Sequence, residues 1–348
     1  MVVQQKTVKI VSEWGARLRA AMEEKPSSLA SVLQQAEAEN RWFTQEAQLQ
    51  ALSYWSNQLE EAQLTAWLSN YSIDLDRPAK NIALILAGNI PLVGFHDLLC
   101  VLVAGHEVQV KLSSQDKRLL PYLIDLLSEV NTTWADRVSF TEERLENFDA
   151  VIATGSNNTS RYFEYYFKDK PRIIRRNRHS VAVLSGKESE QELQDLSRDL
   201  LDYFGLGCRS VSKIWVPKSY DFEQFATVLE LFKGHLEHNK FSNNFHYHRT
   251  VFLMNQIPFR EFGPLLLLEK PSNASALSTL HFEYYDEISE VNQRLSEERE
   301  SLQCIACSTS VAKEIEAETI LLGQTQNPQL NAYADGVDTM VFLTSLDD

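Results

Sequence analysis

A cysteine follows two closely spaced glycines in Phe204-Gly205-Leu206-Gly207-Cys208-Arg209-Ser210. Glycines allow other groups to approach the backbone closely. A neighbouring cation favours the thiolate, the form of cysteine that attacks a carbonyl carbon. A free cysteine on its own more often serves packing, so the block needs company before it means chemistry. Gly88-Asn89-Ile90-Pro91 offers a side-chain amide that could face an oxyanion, although Asn-X-Pro is also ordinary turn chemistry. Val110-Lys111-Leu112-Ser113-Ser114 sets a cation and two hydroxyls in a row, able to grip a ribose or phosphate or simply to be solvated. Thr154-Gly155-Ser156 precedes a helical pattern, where backbone N–H groups at a helix start can lie beside a phosphate; a plain strand-to-helix turn has the same composition.

The elements around these blocks place the last three at comparable points. NIALILAGNIPLVGF, from Asn81, is an apolar run ending in turn residues, which suits a strand buried on both faces, then a glycine turn and a helix. The pattern repeats with a strand over Glu107–Leu112, a helix near Arg118 to Val130 and a short strand around Arg137 to Phe140. FDAVIATGS (148–156) is another buried strand and turn, followed by an aromatic helix from Thr159 to Phe167. Such alternation means βαβ units and a mostly parallel sheet, whose ligands bind at the carboxyl ends of the strands. HSVAVLSG (179–186) reads as a further strand and a crossing between domains. A helix from Ser189 to Phe204 then leads through the cysteine loop into a strand, and ADGVDTMVFL closes the chain as a last strand. Residues 10–70 carry Trp14, Leu18 and Met22, then Leu49, Leu52, Trp55 and Leu59, at spacings of three or four; they read as helices forming a shoulder on a larger domain.

The 348 residues allow about two domains. A net charge of −15 gives no general pull toward nucleic acid or an anionic membrane. No window reaches the ~20 apolar residues of a bilayer span, and the first residues lack the apolar core of a signal peptide. Four cysteines, Cys100, Cys208, Cys304 and Cys307, are too few for a disulfide framework, which points to a reducing cytoplasm.

Taken together, NIP, VKLSS, ATGS and GLGCRSVSKIWV resemble, in order and approximate spacing, the aldehyde dehydrogenase superfamily. The closer resemblance is to its LuxC-type acyl-CoA reductase branch, through GNIPLVGFHD, the cysteine block, STLHFEYYD and the terminal GQ-x-Q-x-P-x-L-x-x-YADGVDTM block. It covers about residues 80 to 348. The resemblance implies an α/β fold: a Rossmann-type nucleotide-binding domain (1–184, including the N-terminal helices), a second α/β catalytic domain (185–315) and a C-terminal segment (316–348) returning toward the first. The active site is implied to lie between the two domains. It implies Cys208 as the acyl-accepting nucleophile, with Asn89 and the Cys208 N–H for the oxyanion. It also implies a dinucleotide site at Lys111, Ser113, Ser114, Gly155 and Ser156. The implied activity is NADPH-dependent reduction of a long-chain acyl-CoA to the fatty aldehyde. Substrate would come as acyl-CoA or another acyl thioester, with an acyl-transferring partner enzyme as one source. Dimers or tetramers are usual in the superfamily, but the segment before Asn81 leaves little room for its usual oligomerisation strands.

Two departures carry information. The superfamily's hydrolytic members hold a glutamate in E-L-G-G-K, whereas the corresponding Ile174-Arg175-Arg176-Asn177-Arg178-His179-Ser180 has no carboxylate to activate water. Where NAD-preferring relatives often carry a glutamate three residues after the lysine, this chain has uncharged Ser114, which permits a 2′-phosphate. An NAD(P)-dependent aldehyde dehydrogenase releasing free acid, and a non-catalytic acyl- or nucleotide-binding subunit, stay open as alternatives. Of the remaining features, the basic run Arg172, Arg175, Arg176 and Arg178 could contact phosphate or CoA but reads more simply as a solvated face. Glu261-Phe262-Gly263-Pro264 reads as a chance match to a cofactor-ribose motif. His246-Tyr247-His248 reads as a loop or a substrate-facing segment and not a metal pair, and Cys304-Ile305-Ala306-Cys307 as core packing.

Overall fold

A computed structural model describes residues 2–74 and 77–346, and the chain divides into two compact units. The first comprises residues 1–177 and 329–348, the second residues 178–328.

In the first unit five strands, β1 (Asn81–Ile85), β2 (Glu107–Lys111), β3 (Val138–Phe140), β4 (Ala150–Thr154) and β5 (Arg172–Arg175), form one all-parallel sheet. Its order is β3-β2-β1-β4-β5, so the winding reverses between β1 and β4. Ile82, Ala83 and Leu84 are all buried, as expected for a strand covered on both faces. The register pairs Ile85 with Lys111 on one side and with Ala153 on the other, which sets the carboxyl ends of β1, β2 and β4 level. The short strand β5 lies inside the basic run that the sequence assigned to a solvated face.

The N-terminal helices are a shoulder on this sheet. Trp14, on the helix Val2–Glu24, donates its indole N–H to the Leu123 carbonyl at 2.8 Å and meets Phe95 edge-on. Trp55 meets the same Phe95 ring from the helix Gln45–Gln58. The C-terminal segment also belongs here, but its last element is a helix, Thr339–Thr344, not a strand. Asp338 caps that helix by accepting the Val341 N–H, and Thr339, Met340 and Leu343 face inward at helical spacing, a pattern too short to separate from alternation in the sequence.

A buried ion pair in this unit corrects the reading of the basic run. Arg175 donates from Nε and Nη2 to Asp97, at 3.1 and 2.6 Å, from Nη2 also to the Thr339 hydroxyl, and from Nη1 to the Ala334 carbonyl. Its side chain is about 5% exposed, so this arginine ties the C-terminal segment to β5.

The second unit holds a seven-stranded sheet of β6 (His179–Val183), β7 (Val211–Pro217), β8 (Arg260–Phe262), β9 (Leu265–Glu269), β10 (Thr279–Tyr285), β11 (Leu302–Cys307) and β12 (Ile320–Leu321). The order is β12-β11-β6-β7-β10-β9-β8, parallel except for the β8–β9 hairpin. Because β6 is hydrogen-bonded between β11 and β7, the first unit ends at Asn177 and not at residue 184. Because β12 completes this sheet, the chain returns to the first unit at Gln329 and not at 316. Among the described residues no helix is long and apolar enough to cross a membrane.

Removing one partner of a buried pair leaves an uncompensated charge. Asp97→Ala is therefore expected to destabilise the first unit by about 3 kcal/mol and to expose residues 329–346 to protease, read by denaturant unfolding and limited proteolysis.

Candidate active site

Parallel strands bring the sequence-predicted residues of the first unit to one edge. Asn89 lies exposed in the turn after β1, Lys111 ends β2 with Ser113 and Ser114 just beyond, and Gly155 and Ser156 follow β4. Close packing joins the first two loops: a Cβ on Gly88 would sit 2.5 Å from the Ser113 hydroxyl, so only glycine fits there. Leu92 adopts a left-handed backbone (φ +58°), a conformation that costs a non-glycine residue on the order of 1–2 kcal/mol.

Each of these residues also has a local task. Ser113 accepts the Gln115 N–H and holds the loop in a tight turn. The Lys111 ammonium donates to the Glu143 carbonyl at 3.0 Å, a neutral acceptor that a ribose hydroxyl or phosphate can replace. Ser156 caps the helix Asn157–Tyr166 by accepting the Thr159 N–H, so the helix start at this edge has its dipole directed at the end of β4. Small residues, a cation, hydroxyls and a helix start at the switch of strand order fit a dinucleotide. Ser114 is exposed and brings no charge.

In the second unit the helix Glu190–Leu201 does not run on to Phe204. Tyr203, Phe204 and Gly205 are all left-handed (φ +52°, +58° and +73°), turning the chain into Gly207–Ser210. The Ser210 N–H donates to the Gly207 carbonyl, making Cys208 and Arg209 the corner of a tight turn. Only Gly205 was legible as a residue suited to this conformation. The two aromatic residues take it because their surroundings hold it: Tyr203 is buried, and Phe204 lies 4.4 Å from His238, ring to ring.

Three side chains that the sequence did not single out secure this turn. Ser180, on β6, donates to the Cys208 carbonyl at 2.9 Å. Gln326 donates to the Ser210 hydroxyl at 3.1 Å, bringing the polar GQTQ loop to the Cys208 turn. Asp199 accepts the Gly323 N–H, the Thr325 N–H and the Thr325 hydroxyl, fastening that loop to the helix that precedes the turn. Beyond the turn, β7 is anchored by Lys213, whose side chain is wholly buried. Its ammonium donates to Glu283 and to the Pro271 carbonyl, both at 2.8 Å, and lies 3.9 Å from the centre of the Trp215 ring. Burial lowers its pKa, against the pull of Glu283.

The other thiols have environments that disfavour ionisation. Burial pushes Cys304 up to about 11, opposed by Arg209 and the Ser180 hydroxyl. Cys307 and Cys100 are buried, and burial raises both. Cys304 and Cys307 stand three apart on β11 and so point to opposite faces, which excludes a redox pair. Cys307 lies in the core as expected, but Cys304 meets the Ser180 hydroxyl at 2.9 Å. Cys208 is half-buried in its turn.

The remaining motifs resolve into structure. The Glu261-Phe262-Gly263-Pro264 segment is the end of β8 and the turn into β9, with Glu261 paired to Arg249 at 2.7 Å. The His246-Tyr247-His248 segment lies on the helix Asn239–Met254, not in a loop. Among the described residues no three metal-ligating side chains gather.

Comparison with known proteins gives a consistent likeness. The family model described as acyl-CoA reductase (LuxC) matches residues 6–241, more than half of the chain and inclusive of Asn89, Lys111 and Cys208. No curated protein matches. Among solved structures, the chain is similar to the aldehyde dehydrogenase KauB from Pseudomonas aeruginosa, at 12% identity over 99% of this chain and 83% of that one, with a TM-score of 0.70. It is similar to the glyceraldehyde-3-phosphate dehydrogenase GapN from Methanocaldococcus jannaschii, complexed with NADP, at 13% identity over 99% and 88%, with a TM-score of 0.67. A third is the AldA indole-3-acetaldehyde dehydrogenase of P. syringae, complexed with NAD+ and IAA, at 12% identity over 99% and 83%, with a TM-score of 0.70. At these identities the likeness establishes the aldehyde dehydrogenase fold.

Burial raises the Asp199 carboxyl to about 6, despite three hydrogen bonds that favour its charge. A folded-state pKa above the unfolded value means a stabilising contribution that is present below about pH 4 and lost as the pH climbs through about 6. The stability advantage of the wild type over Asp199→Ala is expected to shrink by on the order of 2 kcal/mol between about pH 4.5 and about pH 7.5, read from paired denaturant titrations.

Proposed function

Because the chain belongs to the acyl-CoA reductase (LuxC) family, we propose that it reduces a long-chain acyl-CoA to the fatty aldehyde, with NADPH as reductant and Cys208 as the residue that carries the acyl group. The observation that carries this reading is the Cys208 turn. Within the matched span, this half-buried thiol sits at the corner of a braced turn, whereas burial raises the pKa of Cys100, Cys304 and Cys307.

In this reading the Cys208 thiolate attacks the acyl carbon. A carbon–sulfur bond to Cys208 forms, the bond to coenzyme A breaks, and the free thiol of coenzyme A departs with a proton. The Asn89 side-chain amide and the Cys208 N–H donate to the oxyanion that develops on the carbonyl oxygen. Lys111, Ser113, Ser114, Gly155 and Ser156 hold the dinucleotide, and uncharged Ser114 leaves room for the 2′-phosphate of NADPH. When bound, the reduced nicotinamide supplies the hydride that converts the thioester carbon to the aldehyde level. Loss of the aldehyde then returns Cys208 to its thiolate. The segment Ile174–Ser180 brings no carboxylate to activate water, which favours reduction over hydrolysis to the acid. The acyl group reaches the thiol from acyl-CoA or from a partner enzyme's thioester, in the reducing cytoplasm that four free thiols suit.

With a long-chain acyl-CoA and NADPH, the protein is expected to form aldehyde and free coenzyme A in equal amounts, and Cys208→Ala to lower that rate by about a thousandfold. Undiminished turnover by Cys208→Ala overturns the assignment. Oxidation of aldehyde to free acid without coenzyme A would instead support the aldehyde dehydrogenase alternative.

A further inference from the structure

Asp116 is a buried carboxylate that neither the family resemblance nor the reading above uses. It follows the Lys111–Ser114 stretch, and its own N–H donates to the Ser113 carbonyl, so it closes the tight turn at the end of β2. Its side chain then leaves that loop. Oδ2 accepts the Leu92 N–H at 3.0 Å. Oδ1 is buried without a hydrogen-bond partner. The residue lines a hollow of about 10 Å³, room for one water molecule, walled by Leu86, Leu92, Phe95, Leu112 and Leu120.

Helix capping does not account for this arrangement, since the helix Leu119–Val130 that follows has no side-chain cap. A carboxylate set among leucines is costly unless a hydrogen bond compensates it. The Leu92 N–H is the distinctive partner, because Leu92 is the left-handed residue that closes the Asn89-Ile90-Pro91-Leu92 turn. Pro91 has no N–H to offer. A charged acceptor fixed on the neighbouring loop therefore holds the strained residue three positions from Asn89. Gly88 packs against Ser113 on the other side of Asn89, so the two loops are interlocked both before and after it.

We propose that Asp116 is the positioning residue of the Asn89 turn, holding the side-chain amide in place through Leu92 and linking that turn to the loop of Lys111 and Ser114. The proposal rests on the role given to Asn89 above, but its structural half can be tested without that role. Asp116→Asn keeps a carbonyl oxygen for the Leu92 N–H, whereas Asp116→Ala removes the acceptor.

The experiment is backbone amide exchange over the segment Ala87–Phe95 in wild type, Asp116→Ala and Asp116→Asn, paired with the rate at which a long-chain acyl-CoA acylates Cys208. Asp116→Ala is expected to speed exchange in that segment by at least about tenfold while β4 and β5 keep their protection, and Asp116→Asn to stay close to wild type. In parallel, Asp116→Ala is expected to slow acylation by about tenfold or more, and Asp116→Asn to restore most of the rate. Unchanged exchange in Asp116→Ala overturns the proposal, as does loss of protection throughout the first unit, which marks a general structural role. Altered exchange with an unaltered acylation rate overturns the link to Asn89. If wild type is not acylated, the reading of Cys208 fails, while exchange alone still decides whether Asp116 holds the turn.

Discussion

In a sheet whose strands all run the same way, every strand ends on one edge, and the loops that leave that edge are forced to be neighbours. The first unit is built on that constraint. β1, β2 and β4 are adjacent, level and parallel, so turns well separated in sequence share one rim. Burial on both faces keeps the strands from shifting register, since a one-residue slip would reverse every side chain. Placement of Asn89, Lys111 and Ser156 thus follows from the apolar character of residues 82–84 and 150–153 as much as from the polar residues themselves.

The second unit solves a different problem, that of keeping a half-buried thiol at the corner of a turn. Three successive left-handed residues are unfavourable alone, and the turn persists because other groups hold it. Ser180 takes the Cys208 carbonyl, Gln326 the Ser210 hydroxyl, and Asp199 fastens the loop from which Gln326 comes. Lys213 fixes the following strand from within. These contacts join four stretches of chain that lie far apart in sequence, so the Cys208 turn depends on the completed sheet.

Much of the fold was legible because it follows from periodicity and turn residues. The apolar runs at Asn81 and Phe148 are strands, and the tryptophans at helical spacing before them mark the shoulder of helices that the structure contains. β5 was masked by arginines, since a four-residue strand with a buried charge carries no apolar signature until Asp97 is known to face it. The final helix was misread because six residues cannot distinguish a period of 3.6 from one of two. Asn89, Lys111 and Cys208 stand out by residue type and by resemblance. Asp116, Ser180 and Asp199 did not, because an aspartate or serine reveals a positioning task only through the distant backbone group it binds. A capping position and a clamp look alike in sequence.

The account turns on one covalent bond. Intact-mass measurement of the protein with a long-chain acyl-CoA and no reductant, followed by peptide mapping, reads it directly. One acyl group on Cys208, discharged when NADPH is added, is the result the account predicts. A protein that stays unmodified while it turns over, or an acyl group found on Cys304 or elsewhere, would contradict it.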